Sequence, residues 1–194
     1  MTLLAISNAI LWATVLALVL VVLALARQIG VLYERVAPLG ALSIDAGPVV
    51  GEPSPGFDLT STDGSPVRIG GERPRATLLF FLSPVCPVCR KLLPILKSLA
   101  AAERAWLDLV LAGDGAASEH VAYVARHGLA GFPLVLSAEL GLRFRVGKLP
   151  HAVLIDPDGT IRAKGLVNNR EQLESLFTAR ELGVASVQDF LAAR

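Results

Sequence analysis

SPVCPVCRKLLP, residues Ser83 to Pro94, holds both cysteines of the 194-residue chain. Cys86 and Cys89 are separated only by Pro87 and Val88, and Pro84 and Pro94 flank them. Four chemistries use such a pair: a structural disulfide, half of a metal site, a peroxide-reducing thiol, or a dithiol that exchanges with disulfides in other proteins.

A disulfide closing so small a ring stabilises little, because the chain-entropy term grows with loop length. A zinc site takes about four ligands, and the chain carries no second C-x-x-C and no H-x₃₋₅-H pair. His120 and His127 fall on one face of a later helix and are read as solvated residues, so no metal is expected. A peroxide-reducing thiol often follows Pro and then Ser or Thr; Ser83 fits the latter, but Leu79 stands where that proline would be. Dithiol exchange needs one thiol held ready as a thiolate and a second nearby to resolve the adduct. A helix start supplies both. Unsatisfied N–H groups and the helix dipole stabilise the first sulfur, and the second lies one turn inside, covered and within reach. Val85, Pro84 and Pro87 carry no charge, which leaves the helix terminus as the main local stabiliser, with Arg90 and Lys91 further along. Cys86 is therefore the expected attacking thiol and Cys89 the expected resolving thiol.

These positions require a strand before Cys86 and a helix after it. ATLLFFL, Ala76 to Leu82, is a continuous apolar run between Pro74 and Pro84, as in a strand buried on both faces. After Cys86, Val88, Leu92, Leu93, Ile95, Leu96 and Leu99 recur near helical spacing to about Ala102, with Pro94 kinking the axis. WLDLVLAG gives the next strand. A helix from about Ser118 to His127 follows, with Gly128 as its stop. FPLVLS gives a third core strand, and Glu139 to Arg145 a short helix. KLPHAVLIDPDGTIRAKG reads as strand, Asp158-Gly159 turn and strand, before a helix over about Arg170 to Arg180. Upstream, FDLTSTDGSPVRI is a hairpin turning at Asp63-Gly64. This alternation predicts an α/β layer fold with helices on both faces of a sheet.

The chain is 53% hydrophobic, and its first segment accounts for much of that. Leu3 to Ala26 carries no charged side chain. As a helix it spans ~36 Å, enough to cross a bilayer core of roughly 30 Å. Ala24-Leu25-Ala26 resembles a signal-peptidase site. However, only Met1 and Thr2 precede the apolar run, which exceeds the ~7–15 residues of a signal-peptide core. An uncleaved anchor in the lipid bilayer through residues 3–26 is expected. Arg27 and Arg35 follow the span, so the positive-inside rule leans toward a cytoplasmic C-terminal part, though long domains translocate largely regardless of flanking charge. A net charge of +1, with Lys and Arg scattered, excludes nucleic acid as a partner.

From Val49 to Gly183 the chain resembles the thioredoxin superfamily. The features are the buried strand running into C-x-x-C at a helix start, Pro94 five residues after Cys89, and Pro150 just before HAVLID. The resemblance implies a thioredoxin-like fold: a central mixed sheet with helices on both faces, here preceded by one N-terminal transmembrane helix. It also implies that Pro150 is cis and that Leu149 and Pro150 frame the groove where a partner's extended chain lies. His151, next to them, is read as a core or rim residue. Two departures stand out. Val85 replaces the usual Trp, and Phe80 replaces a buried carboxylate, so proton movement at Cys89 should rely on water or the partner. GEPSPGFDLTSTDGSPVRI and LIDPDGTI look like the membrane-anchored, exported branch of the superfamily. FFLSPVCPVCRKLLPILKS behind an anchor is similar to the accessory family of methylamine dehydrogenase maturation. That likeness implies the small (beta) subunit of methylamine dehydrogenase as substrate, a membrane redox partner that recycles the dithiol, no cofactor, and a domain facing the periplasm from the cytoplasmic membrane. It outweighs the charge bias. A reductant for apocytochrome c cysteines and a non-catalytic docking module remain as alternatives. The expected organisation is an anchor over 1–27, a juxtamembrane helix and linker over 28–48, a thioredoxin-like domain over 49–183, and a tail over 184–194.

Overall fold

The computed structural model describes residues 2–35 and 47–182. Two units form separately, divided near Ala41 and Leu42. In the first, helix α1 spans Thr2–Arg35. Its stretch Thr2–Ala24 has a mean hydropathy of 2.5 and buries nothing within the protein, so it is long and apolar enough to cross a membrane. Thr14 donates its hydroxyl to the Ile10 carbonyl at 2.8 Å, which satisfies that polar group within the helix itself. The helix continues past the apolar stretch as expected, while Pro38, Gly40 and the first part of the linker lie outside the described residues, as does the tail beyond Leu182.

The second unit opens with an antiparallel hairpin, β1 (Phe57–Thr60) and β2 (Pro66–Ile69). Its turn forms because Gly64 adopts φ +88°, open to glycine without strain, and because Asp63 accepts from the Ser65 amide at 2.9 Å and from its hydroxyl at 2.7 Å. Strand β3 (Ala76–Phe81) is buried at every residue. Helix α2 (Pro87–Ala102), strand β4 (Leu107–Gly113), helix α3 (Ala117–Arg126), strand β5 (Leu134–Leu136) and helix α4 (Ala138–Arg143) follow. Strands β6 (His151–Ile155) and β7 (Ile161–Leu166) and helix α5 (Arg170–Leu182) complete the unit.

The five main strands form one sheet in the order β5-β4-β3-β6-β7. β3, β4 and β5 run parallel, whereas β6 is antiparallel to both β3 and β7. The sheet is mixed, as expected. Because successive side chains alternate across a strand, β3 feeds two cores. Leu78, Phe80 and Leu82 pack with α2, α3 and α5. Leu79 and Phe81 pack on the other side, with Leu140 and Phe144 at α4 and with Val67 and Ile69 of the hairpin. That second face is covered by a short helix and a hairpin.

The FPLVLS segment is a core strand as expected, three residues long and at the sheet edge. It is buried all the same, because the hairpin closes over it. Ser61 Oγ donates to the Leu134 carbonyl at 3.1 Å and accepts from the Leu134 amide at 3.0 Å, and the Thr62 amide donates to the same carbonyl at 2.8 Å. One expectation needs correction: His120 is not solvated, since only 2% of it is exposed. It packs over the end of β4, where Gly113 leaves room for it.

A Cβ on Gly113 would stand 2.7 Å from both Cδ2 and Nε2 of His120. Gly113→Ala therefore forces the imidazole or α3 outward. Overpacking of this kind costs about 1–3 kcal/mol, and we expect a lower thermal midpoint, measured by circular dichroism. The double variant Gly113→Ala/His120→Ala should recover part of the loss.

Candidate functional site

β3 is shielded on both faces, so the chain can become exposed only beyond Leu82. Cys86 lies at that exit and forms the N-cap of α2, with φ −83° and ψ 112°. Its sulfur accepts the Cys89 backbone N–H at 3.2 Å, in the manner of a side-chain oxygen at an N-cap. Pro87 opens the helix, where its missing N–H costs nothing. Inside α2, Cys89, Leu92, Leu93, Leu96, Leu99 and Ala100 form the buried stripe. Each fully buried leucine stabilises the fold by about 1.5–3 kcal/mol, and this stripe holds Cys89 against the sheet. Pro94 leaves the Arg90 carbonyl without its helical donor, but both residues lie on the exposed side, where water substitutes.

The two thiols thus meet different surroundings. Cys86 is half-buried, and Val85 beside it is 86% exposed. Cys89 is 0% exposed. Burial first, and then the hydrogen bond with Cys86, push the Cys89 thiol up to about 12 from its ordinary 9.0. At neutral pH the Cys89 sulfur therefore keeps its proton.

The Leu149–Pro150 peptide bond is cis. Phe81, at the end of β3, pairs with His151, at the start of β6. Leu149-Pro150 and the segment carrying Cys86 therefore leave the sheet at the same end. Leu149 is partly exposed at 37%, and the Pro150 carbonyl accepts the Val167 amide at 3.2 Å. His151 is half-buried, with its ring edge-on to Phe81 at 6.3 Å. All four residues singled out at Cys86, Cys89, Leu149 and Pro150 belong to this end of the sheet. His120 Nδ1 lies 3.0 Å from the Ala116 carbonyl, and His127 Nδ1 lies 2.8 Å from that of Tyr123. Among the described residues no group of three or more His, Cys, Asp or Glu could hold a metal ion. Sequence reasoning passed over Tyr123, which shares the buried cluster of Cys89. Its signal was the stripe His120, Tyr123, Val124 and His127 at helical spacing.

The fold and the dithiol at the start of α2 define the class: a thioredoxin-like protein. Solved structures agree. A secreted disulfide oxidoreductase of Mycobacterium tuberculosis is 26% identical, with a TM-score of 0.52 over 63% of this chain and 95% of that one. StoA from Bacillus subtilis is 24% identical, with a TM-score of 0.53 over 66% of this chain and 98% of that one, a likeness of fold. No protein-family profile matches. Curated relatives carry the assignment further. The methylamine utilization protein MauD of Paracoccus versutus is 49% identical across 100% of this chain and 98% of its own length. MauD of Methylorubrum extorquens is 48% identical, covering 97% of this chain and 92% of its own length. The chain belongs to the MauD family.

The asymmetry of the thiols has a direct readout. At neutral pH, alkylation of the reduced protein should label Cys86 and leave Cys89 unlabelled until the fold is denatured, as read by peptide mass spectrometry. The raised pKa also makes stability pH-dependent. The folded state keeps the Cys89 proton that the unfolded chain gives up near pH 9, so this contribution is complete below pH 9 and is lost as pH rises toward about 12. Across that window the reduced parent should lose stability relative to Cys89→Ser.

Proposed function

We propose that this chain is a membrane-anchored thiol–disulfide oxidoreductase that forms or reshuffles disulfides in the small (beta) subunit of methylamine dehydrogenase, with its domain facing the periplasm. The observation that carries the proposal is the pairing of a half-exposed helix-cap sulfur with a fully buried one, at the sheet end where the cis Leu149–Pro150 bond lies. A metal site or a structural crosslink has no use for that asymmetry. The MauD relatives support the choice of partner, since they are described as methylamine utilization proteins.

In the oxidising direction, a substrate thiolate attacks Cys86 of the Cys86–Cys89 disulfide. The sulfur–sulfur bond breaks, Cys89 leaves with the electron pair, and a mixed disulfide joins Cys86 to the substrate. A second substrate thiolate then attacks its own bonded sulfur, closing the substrate disulfide and releasing Cys86. Two electrons pass to the dithiol, and a membrane redox partner must remove them. Reshuffling starts instead from reduced Cys86 and returns it unchanged. In both directions Leu149 offers backbone to the substrate's extended chain, as an added strand would, and Val85 and Leu149 give the rim around Cys86 an apolar character.

Cys86→Ser should abolish exchange, since a hydroxyl is a far poorer nucleophile than a thiolate. Cys89→Ser should still engage substrate through Cys86 and accumulate a covalent complex with the small subunit that reducing agent dissolves. If Cys89→Ser traps nothing in a host that makes methylamine dehydrogenase, and both variants support its maturation, the chain is a docking module. For the anchor, we expect the mature protein to keep its N-terminal residues and stay with membranes through carbonate washing. A phosphatase fused after Arg194 should be active; an inactive fusion would place the domain in the cytoplasm.

A further inference from the structure

Resolution of a mixed disulfide asks a difficult thing of Cys89. Its sulfur must become an anion where no solvent reaches it, and Phe80, fully buried, offers no charge to help. One buried hydroxyl shares the core of Cys89 and makes no bond to its sulfur in the resting state. Tyr123 is 6% exposed and belongs to the same buried cluster as Cys89, against which Cys86 also packs. Helical side chains lean toward the N-terminus of their helix. α2 and α3 both begin at the sheet end that carries the dithiol, since Phe81 and Ala112 pair at the ends of the parallel strands β3 and β4. The phenol of Tyr123 therefore leans back along α3 toward that end. Its hydroxyl is buried without a hydrogen-bond partner. Unpaired buried hydroxyls are costly, and such a group in a native core calls for an explanation.

We propose that Tyr123 is a positioning residue for exchange, whose hydroxyl donates a hydrogen bond to the Cys89 sulfur as that sulfur becomes a thiolate and attacks the mixed disulfide. The inference rests on the exchange function above. In the step itself, the Cys89 thiolate attacks Cys86 Sγ, the Cys86–Cys89 bond forms and the Cys86–substrate bond breaks. The departing substrate sulfur takes the electron pair and then the proton that Cys89 gave up. Tyr123 keeps its own proton throughout. It can do so because burial first, and then the negative charges of Cys89 and Cys86, push the phenol's pKa up, against a weaker opposing pull from Arg90. Cys86 at the cap of α2, Cys89 and Arg90 within it, and the His127 ring, at 4.7 Å on α3, are titratable groups that face it, and His120 lies one turn before it in the buried stripe of α3. Between turnovers the hydroxyl is left unpaired, and it is paired when the charge develops.

The test uses the full-length chain in detergent, Tyr123→Phe, and oxidised glutathione as the disulfide probe. Rapid mixing with acid quench and mass spectrometry separates formation of the Cys86–glutathione adduct from its decay to the internal disulfide. A hydrogen bond to a charged group contributes about 1.5–3 kcal/mol, which converts to roughly 10- to 100-fold in rate. We expect adduct formation to be unchanged, adduct decay to slow by about that factor, and the pH profile of decay to move to higher pH. Thermal stability should be equal or higher, because an unpaired buried hydroxyl has been removed. Unchanged decay with an unchanged pH profile would overturn the inference. So would a loss of stability with both steps slowed alike, which would mark a packing role. If the parent forms no adduct at all, the exchange function itself fails, a result distinct from either.

Discussion

A single hydrogen bond, from the Cys89 backbone N–H to the Cys86 sulfur at 3.2 Å, organises the site. It ties the start of α2 to the sulfur proposed to meet the substrate. The helix needs an acceptor at its first turn, and a sulfur is a weak one while protonated and a strong one when negative. The rest of the domain exists in relation to this bond. β3 is buried on both faces, so its exit is the first place where Cys86 can meet a partner. The leucine stripe of α2 fixes the helix against the sheet, so Cys89 is sealed from solvent one turn below.

That division costs something. Whatever burial does to protect Cys89 from stray reaction, it also makes its anion hard to form, as the upward shift to about 12 records. An exchange protein must keep the second thiol quiet while the first is engaged, yet release it when the adduct has formed. In the proposed exchange, separation along one helix and the groups around the deeper sulfur would meet both demands.

Much of this was legible before any coordinates. The Pro74–Pro84 bounded run had the length of a doubly buried strand, and the C-x-x-C after it could only open a helix. The Asp63-Gly64 and Asp158-Gly159 turns were found because a positive φ has few residues to serve it, and Gly64 and Gly159 take φ +88° and +84°. The cis geometry before Pro150 came from likeness to a superfamily; local spacing alone does not dictate it. The misses share a cause. An apolar run shows burial but not how many neighbours a strand has, so the edge place of β5 under the hairpin was not legible. His120 looked solvated because histidine is polar, whereas its burial was decided by Gly113, a residue on another element. Tyr123 went unnoticed for the same reason: the core it shares with α2 is set by the sheet between the segments, which no single segment encodes.

The hairpin's grip on β5 has a consequence for the company such a protein keeps. Clients that still lack their disulfides are partly unfolded, and exposed strands in them seek any free sheet margin. Here the outward backbone groups of Leu134 are already taken by Ser61 and Thr62. At that residue the flank offers a loose strand neither a free donor nor a free acceptor.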